Sequence, residues 1–161
     1  MGKKTDIIID FLGNAWNVDC LGCGITNHTV IVPGDLVYED EYFTIQQDPL
    51  IPIKGFMIIN AKKHVQSITQ LTDIEQHLLI DLIHKTIVNL KELNITNQIT
   101  VIQEERSSHF HVWLFPYHEW MLGKYGVGNV REICEYAKNH VSEKDIDEIL
   151  DTVTKLRNRF V

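Results

Sequence analysis

Residues 109–116 read His-Phe-His-Val-Trp-Leu-Phe-Pro, and this stretch decides the fold. In a β-strand alternate side chains point to the same face, so these residues divide into two sets. One face is apolar throughout and is typical of the side turned to a core: Phe110, Val112 and Leu114. The other face carries His109, His111, Trp113 and Phe115. Paired imidazoles suit nucleophilic, acid–base or metal-binding chemistry, and two surface histidines on an ordinary strand are the alternative explanation.

The composition indicates one compact domain. The chain has 161 residues, 44% of them hydrophobic, which is enough for a single core but cramped for two. The formal net charge is −7 and no run of Lys or Arg occurs, which argues against a duplex nucleic-acid binder. We find no secretory leader and no apolar stretch of about 18 residues or more, and therefore expect a cytoplasmic protein without membrane contact. Three cysteines in such a protein favour metal binding or burial over disulfides.

The hydrophobic periodicity predicts an α+β fold with an antiparallel sheet. A helix over 72–93 has the clearest signal, because Thr72 and Glu75 form a capping box ahead of an apolar stripe. The remaining elements follow from strand-forming runs, turn residues and helical periodicity. They are a short helix over 5–13, strands over 36–39, 42–47, 54–60, 98–103 and 109–115, and helices over about 128–140 and 143–158.

Half of a metal site stands in a loop near the N-terminus. Cys20 and Cys23 have the spacing that lets two thiolates bind one tetrahedral ion. A pair of small buried or reduced thiols is the alternative, whereas a redox pair is disfavoured because the loop lacks a βαβ context. The candidates for the two remaining ligands are His28, His64 and His109. Cys134, on a predicted helix, is expected to be a core residue.

Several motifs together resemble the histidine-triad (HIT) superfamily of nucleotide hydrolases and transferases. The family signature is His-φ-His-φ-His-φ-φ, where φ is hydrophobic, and residues 109–115 match it with Trp113 in place of the third histidine. Residues 20–27 and 37–41 are similar to the opening of bacterial zinc-containing members. Residues 54–64 resemble their Gly-His-x-Leu-Val-Ile-Pro-Lys-x-His segment. The match covers roughly residues 20–118 in the family's order.

The resemblance implies a fold, an assembly and a reaction. The fold is a five-stranded antiparallel sheet with a main helix, here with extra C-terminal helices, and it usually pairs into a homodimer. Residues 1–161 would form a single domain, with a core over about 18–121 and a helical extension over about 127–161. His111 matches the nucleophile, which attacks the α-phosphorus of a nucleotide derivative to give a nucleotidyl-histidine. The substrate would be a dinucleoside polyphosphate or a nucleoside phosphoramidate.

The resemblance also implies the ligands of a structural zinc and the contacts to substrate. The zinc ligands carried over are Cys20, Cys23, His64 and His109, with His28 as a possible substitute. The expected substrate contacts are Asp48, Gln103, Ser107, Ser108 and Trp113. Asp48 matches an acidic residue that accepts ribose hydroxyls, and a turn-initiating aspartate before Pro49 is the alternative.

Trp113 is the main departure from the family pattern. The third histidine contacts phosphate oxygens and helps the leaving group depart, whereas an indole donates one hydrogen bond and cannot deliver a proton. His118 is a candidate for the missing acid, and an exposed loop histidine is the alternative. Three other functions therefore stand beside the hydrolase: a nucleotidyltransferase, a zinc-stabilised nucleotide-binding module without turnover, and a small partner-binding protein.

Overall fold

An antiparallel sheet with helices on both faces forms the centre of the computed structural model, which describes residues 5–161. The elements in chain order are β1 (Asp6–Ile9), β2 (Ala15–Val18), α1 (Leu21–Thr26), β3 (Tyr38–Glu39), β4 (Phe43–Gln47), β5 (Met57–Ala61), α2 (Asp73–Glu92), β6 (Gln98–Gln103), β7 (His111–Tyr117), α3 (Glu119–Lys124), α4 (Val130–His140) and α5 (Glu143–Arg157). The five-stranded sheet has the order β3-β4-β5-β7-β6, with every neighbouring pair antiparallel. The predicted α+β class and sheet are confirmed.

Strand β7 has apolar cores on both faces, whereas the sequence predicted a core only on the face of Phe110, Val112 and Leu114. Val112 and Leu114 belong to the larger core, which α2 and α5 cover. Phe115 and Tyr117 face the other way and pack in a second core with side chains of α3 and α4. His111 shares this second face but lies at the start of the strand, where it is only half-buried.

Helix α2 begins where the capping box predicts. The Thr72 hydroxyl accepts the Glu75 N–H, and the Glu75 carboxylate accepts the Thr72 N–H at 2.6 Å. Two of the otherwise unpaired donors at the helix start are thereby satisfied. Leu79, Leu82 and Leu90 then bury the apolar stripe against the sheet.

The helix predicted over 5–13 is wrong: β1 and β2 form a two-stranded hairpin there. The run Ile7-Ile8-Ile9 is β-branched, and β-branched side chains favour strands over helices. The turn is built by Asp10, whose carboxylate accepts the N–H groups of Leu12 and Asn14 at 2.9 and 3.0 Å. Gly13 completes it at φ +87°, a conformation that glycine adopts without strain.

The C-terminal helices pack on the sheet from opposite sides. Cys134 of α4 is buried in the second core, as predicted, while Val153 and Leu156 of α5 are buried in the larger one. Arg157 connects α5 to the segment before β3. Its guanidinium donates to the carbonyl oxygens of Leu36, at 2.8 Å, and of Gly34. Within residues 5–161, no helix combines the length and apolar character required to cross a bilayer.

Candidate active site and metal centre

Cys20 and Cys23 lie at the start of a short helix, where the sequence predicted a loop. The Cys20 Sγ accepts the Cys23 N–H at 3.4 Å and so caps α1. Gly22 allows this helix to approach the ring of His109, since a Cβ at this position would lie 2.5 Å from the His109 Cγ. The helix therefore presents both thiols to the segment just before β7.

Four predicted ligands meet in one cluster: Cys20, Cys23, His64 and His109. The Cys20 Sγ lies 3.5 and 3.4 Å from the Nδ1 atoms of His64 and His109, and the Cys23 Sγ lies 3.0 and 3.4 Å from them. The two Nδ1 atoms are 3.3 Å apart. Tetrahedral zinc, with bonds of about 2.3 Å to sulfur and 2.0–2.1 Å to nitrogen, needs sulfur–nitrogen separations of about 3.5 Å and nitrogen–nitrogen separations of about 3.3 Å. The donor set and its spacing are those of a structural zinc site.

The hydrogen bond of the His109 Nε2 atom fixes the tautomer that metal binding through Nδ1 requires. The Nε2–H donates to the Ala61 carbonyl oxygen at 2.6 Å, which leaves the lone pair on Nδ1, the atom inside the cluster. Burial lowers the pKa of His109, and the nearby His64 and His111 lower it further. The ring therefore stays neutral, as a metal ligand must. His28, the substitute ligand, is not in the cluster; its Nε2 lies 2.9 Å from the Glu39 carboxylate.

The His111 ring is held in the tautomer that a nucleophile requires. Its Nδ1–H donates to the His109 carbonyl oxygen at 2.9 Å, so the lone pair is on Nε2. The Trp113 ring lies beside it, with centroids 6.3 Å apart, and is itself fixed edge-on against Phe56 at 5.2 Å. The neighbouring strand residues thus give the imidazole one orientation.

His111 lines a cavity of about 330 Å³ between the hairpin, α1 and the sheet. This volume lies within the usual range of about 300–1,000 Å³ for small-molecule sites. The predicted site residues that line it are Cys20, Asp48, Ser107, Ser108, His109, His111 and Trp113. Ser107 is partly engaged, because its hydroxyl and the His109 backbone bond to each other, whereas Ser108 is exposed. The structure therefore brings the predicted nucleophile together with most of the predicted substrate contacts.

Asp48 fits both interpretations of its position. Its Oδ1 accepts the N–H groups of Leu50 and Ile51 at 2.7 and 2.8 Å, which builds the turn after β4. The carboxyl is nevertheless buried at the cavity, and burial raises its pKa to about 6, against the opposing effects of those two bonds and of His111. Buried carboxyls with raised pKa values beside a cavity are found both in functional sites and in structural turns.

Gln103 and His118 lie outside this cavity. Gln103 pairs with Val112 across β6 and β7, and cross-strand partners share a face, so it lies on the face of the larger core. The sequence predicted Gln103 as a substrate contact. The face of a strand residue depends on strand register, which the spacing of residues along the chain does not show. His118 lines a separate cavity, where its Nε2–H donates to the Lys54 carbonyl oxygen at 2.8 Å and burial lowers its pKa.

Two carboxamides on the cavity floor were missed by the sequence analysis. Gln46 and Asn60 are buried, both line the cavity, and the amide nitrogen of each has no hydrogen-bond partner among residues 5–161. The sequence offered little signal, since β4 carries three polar residues (Thr44, Gln46 and Gln47) and Asn60 is a single polar residue in the apolar strand β5. Which face each residue occupies became clear only from the register of β4, β5 and β7.

Known proteins with similar sequence and structure carry the same fold. No protein-family model matches the chain. The chain is 29% identical over 139 residues to an uncharacterized HIT-like protein of Methanocaldococcus jannaschii. The match covers 83% of this chain and 98% of that protein. A HIT-like protein of Bartonella henselae superposes with a TM-score of 0.63 at 17% identity, over 91% of this chain and 99% of that one. A zinc-bound histidine triad family protein of Mycobacterium smegmatis gives 0.59 at 14% identity, over 86% and 96%. The histidine-triad fold and the resemblance to that superfamily are confirmed.

Proposed function

We propose that this protein is an enzyme that attacks the α-phosphate of a nucleotide derivative with His111 and proceeds through a nucleotidyl-histidine. The observation that carries the proposal is the His111 ring itself. Its Nδ1–H is bound to a backbone carbonyl, and its other nitrogen is available at a cavity with the volume of a small-molecule site. The histidine-triad resemblance supports a nucleotide as the small molecule.

The reaction divides one displacement into two. The Nε2 lone pair forms a bond to the α-phosphorus while the bond to the leaving group breaks, and the leaving group keeps that electron pair. The positive charge that develops on the ring is stabilised by the Nδ1–H bond to the His109 carbonyl oxygen. Water then displaces the histidine and completes hydrolysis. The strand and the Trp113 ring fix the direction of attack, which lowers the entropic part of the barrier.

Trp113 favours one class of leaving group. A departing amine must take up a proton, whereas a phosphate chain departs as a stable anion. Because the indole cannot deliver a proton, we expect phosphoanhydrides such as dinucleoside polyphosphates to react faster than nucleoside phosphoramidates. Asp48 would accept the ribose hydroxyls through the acceptor sites that its turn leaves free, and Ser108 would donate to phosphate.

Cys20, Cys23, His64 and His109 would hold the zinc that their geometry fits. Four protein ligands leave no open position, so a bound ion supplies structural support rather than Lewis-acid chemistry. The zinc-bound relative from Mycobacterium smegmatis supports this assignment. The site joins α1, the segment after β5 and the segment before β7, and it leaves the chemistry to His111. The homodimer and the cytoplasmic location remain predictions.

A nucleotidyltransferase is the second candidate, and Trp113 is the observation that favours it. The third histidine helps the leaving group depart in the family, and its loss weakens the inference of hydrolysis. A transferase accumulates nucleotidyl-enzyme when its acceptor is absent, whereas a hydrolase turns over continuously. Single-turnover kinetics with and without phosphorylated acceptors would distinguish the two.

The test is intact-protein mass spectrometry after mixing the protein with a panel of adenylated and guanylated compounds. We expect a nucleotidyl adduct that peptide mapping assigns to His111, and neither adduct nor turnover in His111→Ala. His84→Ala, which removes an exposed histidine of α2, should behave as wild type. A His111→Ala protein that still turns over, or an adduct elsewhere, would contradict the proposal. Nucleotide binding without any turnover would instead identify a binding module.

A further inference from the structure

Asn60 occupies the position next to the nucleophile on the adjacent strand. In the β5–β7 ladder it is the direct partner of His111. Side chains of directly opposed residues share a face, with Cβ atoms about 4.5–5.5 Å apart. Both residues line the same cavity. A group bound at the His111 ring therefore lies within reach of the Asn60 carboxamide.

The Asn60 amide nitrogen is buried without a partner. The side chain is 4% exposed, and Nδ2 has no hydrogen-bond partner within the described residues. An unsatisfied buried donor is unfavourable, so a position that keeps one calls for a physical explanation. Rotation about the last side-chain bond exchanges the nitrogen and oxygen positions, which allows the NH₂ group to turn toward the cavity.

A second asparagine shows that an unpartnered amide alone does not make a site. Asn89, on α2, is also buried and its Nδ2 also lacks a partner among residues 5–161. It does not line the His111 cavity. The difference between the two residues is the cavity and the nucleophile beside Asn60, and these provide the reason to expect a ligand there.

We propose that Asn60 binds phosphate, its NH₂ group donating to a non-bridging oxygen of the phosphoryl group that His111 attacks. This inference rests on the proposed function. It identifies a residue that would contact the phosphate oxygens in place of the third triad histidine, where this chain has Trp113. A neutral amide with two donors stabilises the charge on those oxygens without needing protonation. Part of what the third triad histidine does in relatives thereby comes from the neighbouring strand.

Paired ligands that differ only in the phosphate provide the test. Binding of adenosine 5′-monophosphate and of adenosine, and of the corresponding guanosine pair, is measured by titration calorimetry on the wild type and on Asn60→Leu. Loss of a hydrogen bond to a charged group should weaken monophosphate binding about 10- to 100-fold. Nucleoside binding should be unchanged. Asn89→Leu is the matched control and should leave all four affinities at wild-type values.

Kinetics and a second variant complete the test. In Asn60→Leu we expect kcat for adduct formation to fall by about 10- to 100-fold, since the donated bond strengthens as charge develops. Asn60→Asp, close in shape but without the donor and with a negative charge, should lose monophosphate affinity at least as much. It also serves as the test if the leucine variant fails to fold.

Each outcome decides a separate point. Equal losses for nucleoside and monophosphate would place Asn60 at the sugar or base and overturn the phosphate contact. Asn60→Leu values equal to those of Asn89→Leu, with wild-type binding intact, would also overturn it and leave the proposed function standing. A wild type that binds none of the four ligands would overturn the proposed function and this inference together.

Discussion

At the scale of single residues, Asp48 is a carboxyl whose ionisation is opposed by its burial. Burial raises its pKa from an ordinary 3.8 to about 6. The unfolded chain has the ordinary value, so the native state holds this proton more tightly. The stability gained below about pH 4 is therefore lost as pH rises through about 6. Ionised Asp48 consequently destabilises the protein at neutral pH.

Asp48→Asn should relieve this cost, because an amide stays neutral and its oxygen still accepts the N–H groups of Leu50 and Ile51. We expect the variant's advantage in unfolding free energy to have reached about half of its full value at pH 5, to grow further as pH rises through about 6, and to level off above about pH 7. The full shift of about two pH units corresponds to roughly 3 kcal/mol. Urea unfolding of both proteins at a series of pH values between 5 and 8 measures the difference, and effects shared by the two proteins cancel.

Asp145 provides a control of opposite sign. Hydrogen bonds from Ser142 at the start of α5 hold the pKa of Asp145 below its usual range. Its stabilisation is present above about pH 4 and is lost only as pH falls through the lower native value. The deficit of Asp145→Asn should therefore be constant from pH 5 to 8. An equally flat difference for Asp48→Asn would show that the carboxyl does not titrate in this range.

The sequence alone predicts the cysteines and histidines of the site but not the buried carboxamides that line its cavity, Gln46 and Asn60. Cys20, Cys23 and the histidines stand out by residue type and spacing, and the structure brings them together as expected. Gln103 and Asn60 are ordinary amides whose roles depend on strand register. A shift of one residue moves a side chain to the opposite face. The structure therefore places Gln103 outside the His111 cavity and Asn60 in its lining.

At the scale of elements, α1 contributes two thiols to a cluster that is completed by His109, two residues before β7. Cys20→Ser removes one thiolate but leaves a hydroxyl that caps helices well, so α1 keeps its start. We expect the bound zinc per chain, measured by emission spectroscopy, to fall to near zero and the melting temperature to drop. The expected cause is loss of the ion rather than loss of the helix.

Cys134→Ala is the matched control for this change. Cys134 is buried in the second core, outside the cluster, and burial raises its thiol pKa to about 12. Its loss should lower stability modestly and leave the zinc content at the wild-type value. If Cys20→Ser removes activity while zinc content and melting stay unchanged, the cluster has a role other than structural support.

Local signals predicted elements well where they agreed with one another. For α2, capping residues and a 3.6-residue period both indicate a helix, and the structure has it at Asp73–Glu92. For residues 5–13 they conflicted: Thr5 and Gly13 looked like helix ends, while three consecutive isoleucines favour a strand. The hairpin prevails because each strand satisfies its backbone groups on the other.

At the scale of the whole molecule, the C-terminal helices belong to the core of the sheet. The sequence predicts that residues from about 127 onward form an extension, because the family resemblance ends before them. In the structure, Val153 and Leu156 of α5 pack with Leu79 of α2 and with the central strands. Long-range packing of this kind leaves no local signal that a sequence pattern can show. We infer that sheet and extension unfold as one cooperative unit.

Leu156→Ala tests this cooperativity, because Leu156 is fully buried in α5 beneath the sheet. Truncation leaves a cavity, and we expect the free energy of unfolding to fall by about 2–5 kcal/mol. Thr154→Ala, an exposed change on the same helix, should stay within about 0.5 kcal/mol of wild type. Tryptophan fluorescence, which reports on Trp16, Trp113 and Trp120 outside α5, and release of zinc to a dye should give one shared midpoint that shifts in Leu156→Ala. A midpoint that stays at the wild-type value while helical dichroism alone is lost would show that α5 is an independent appendage.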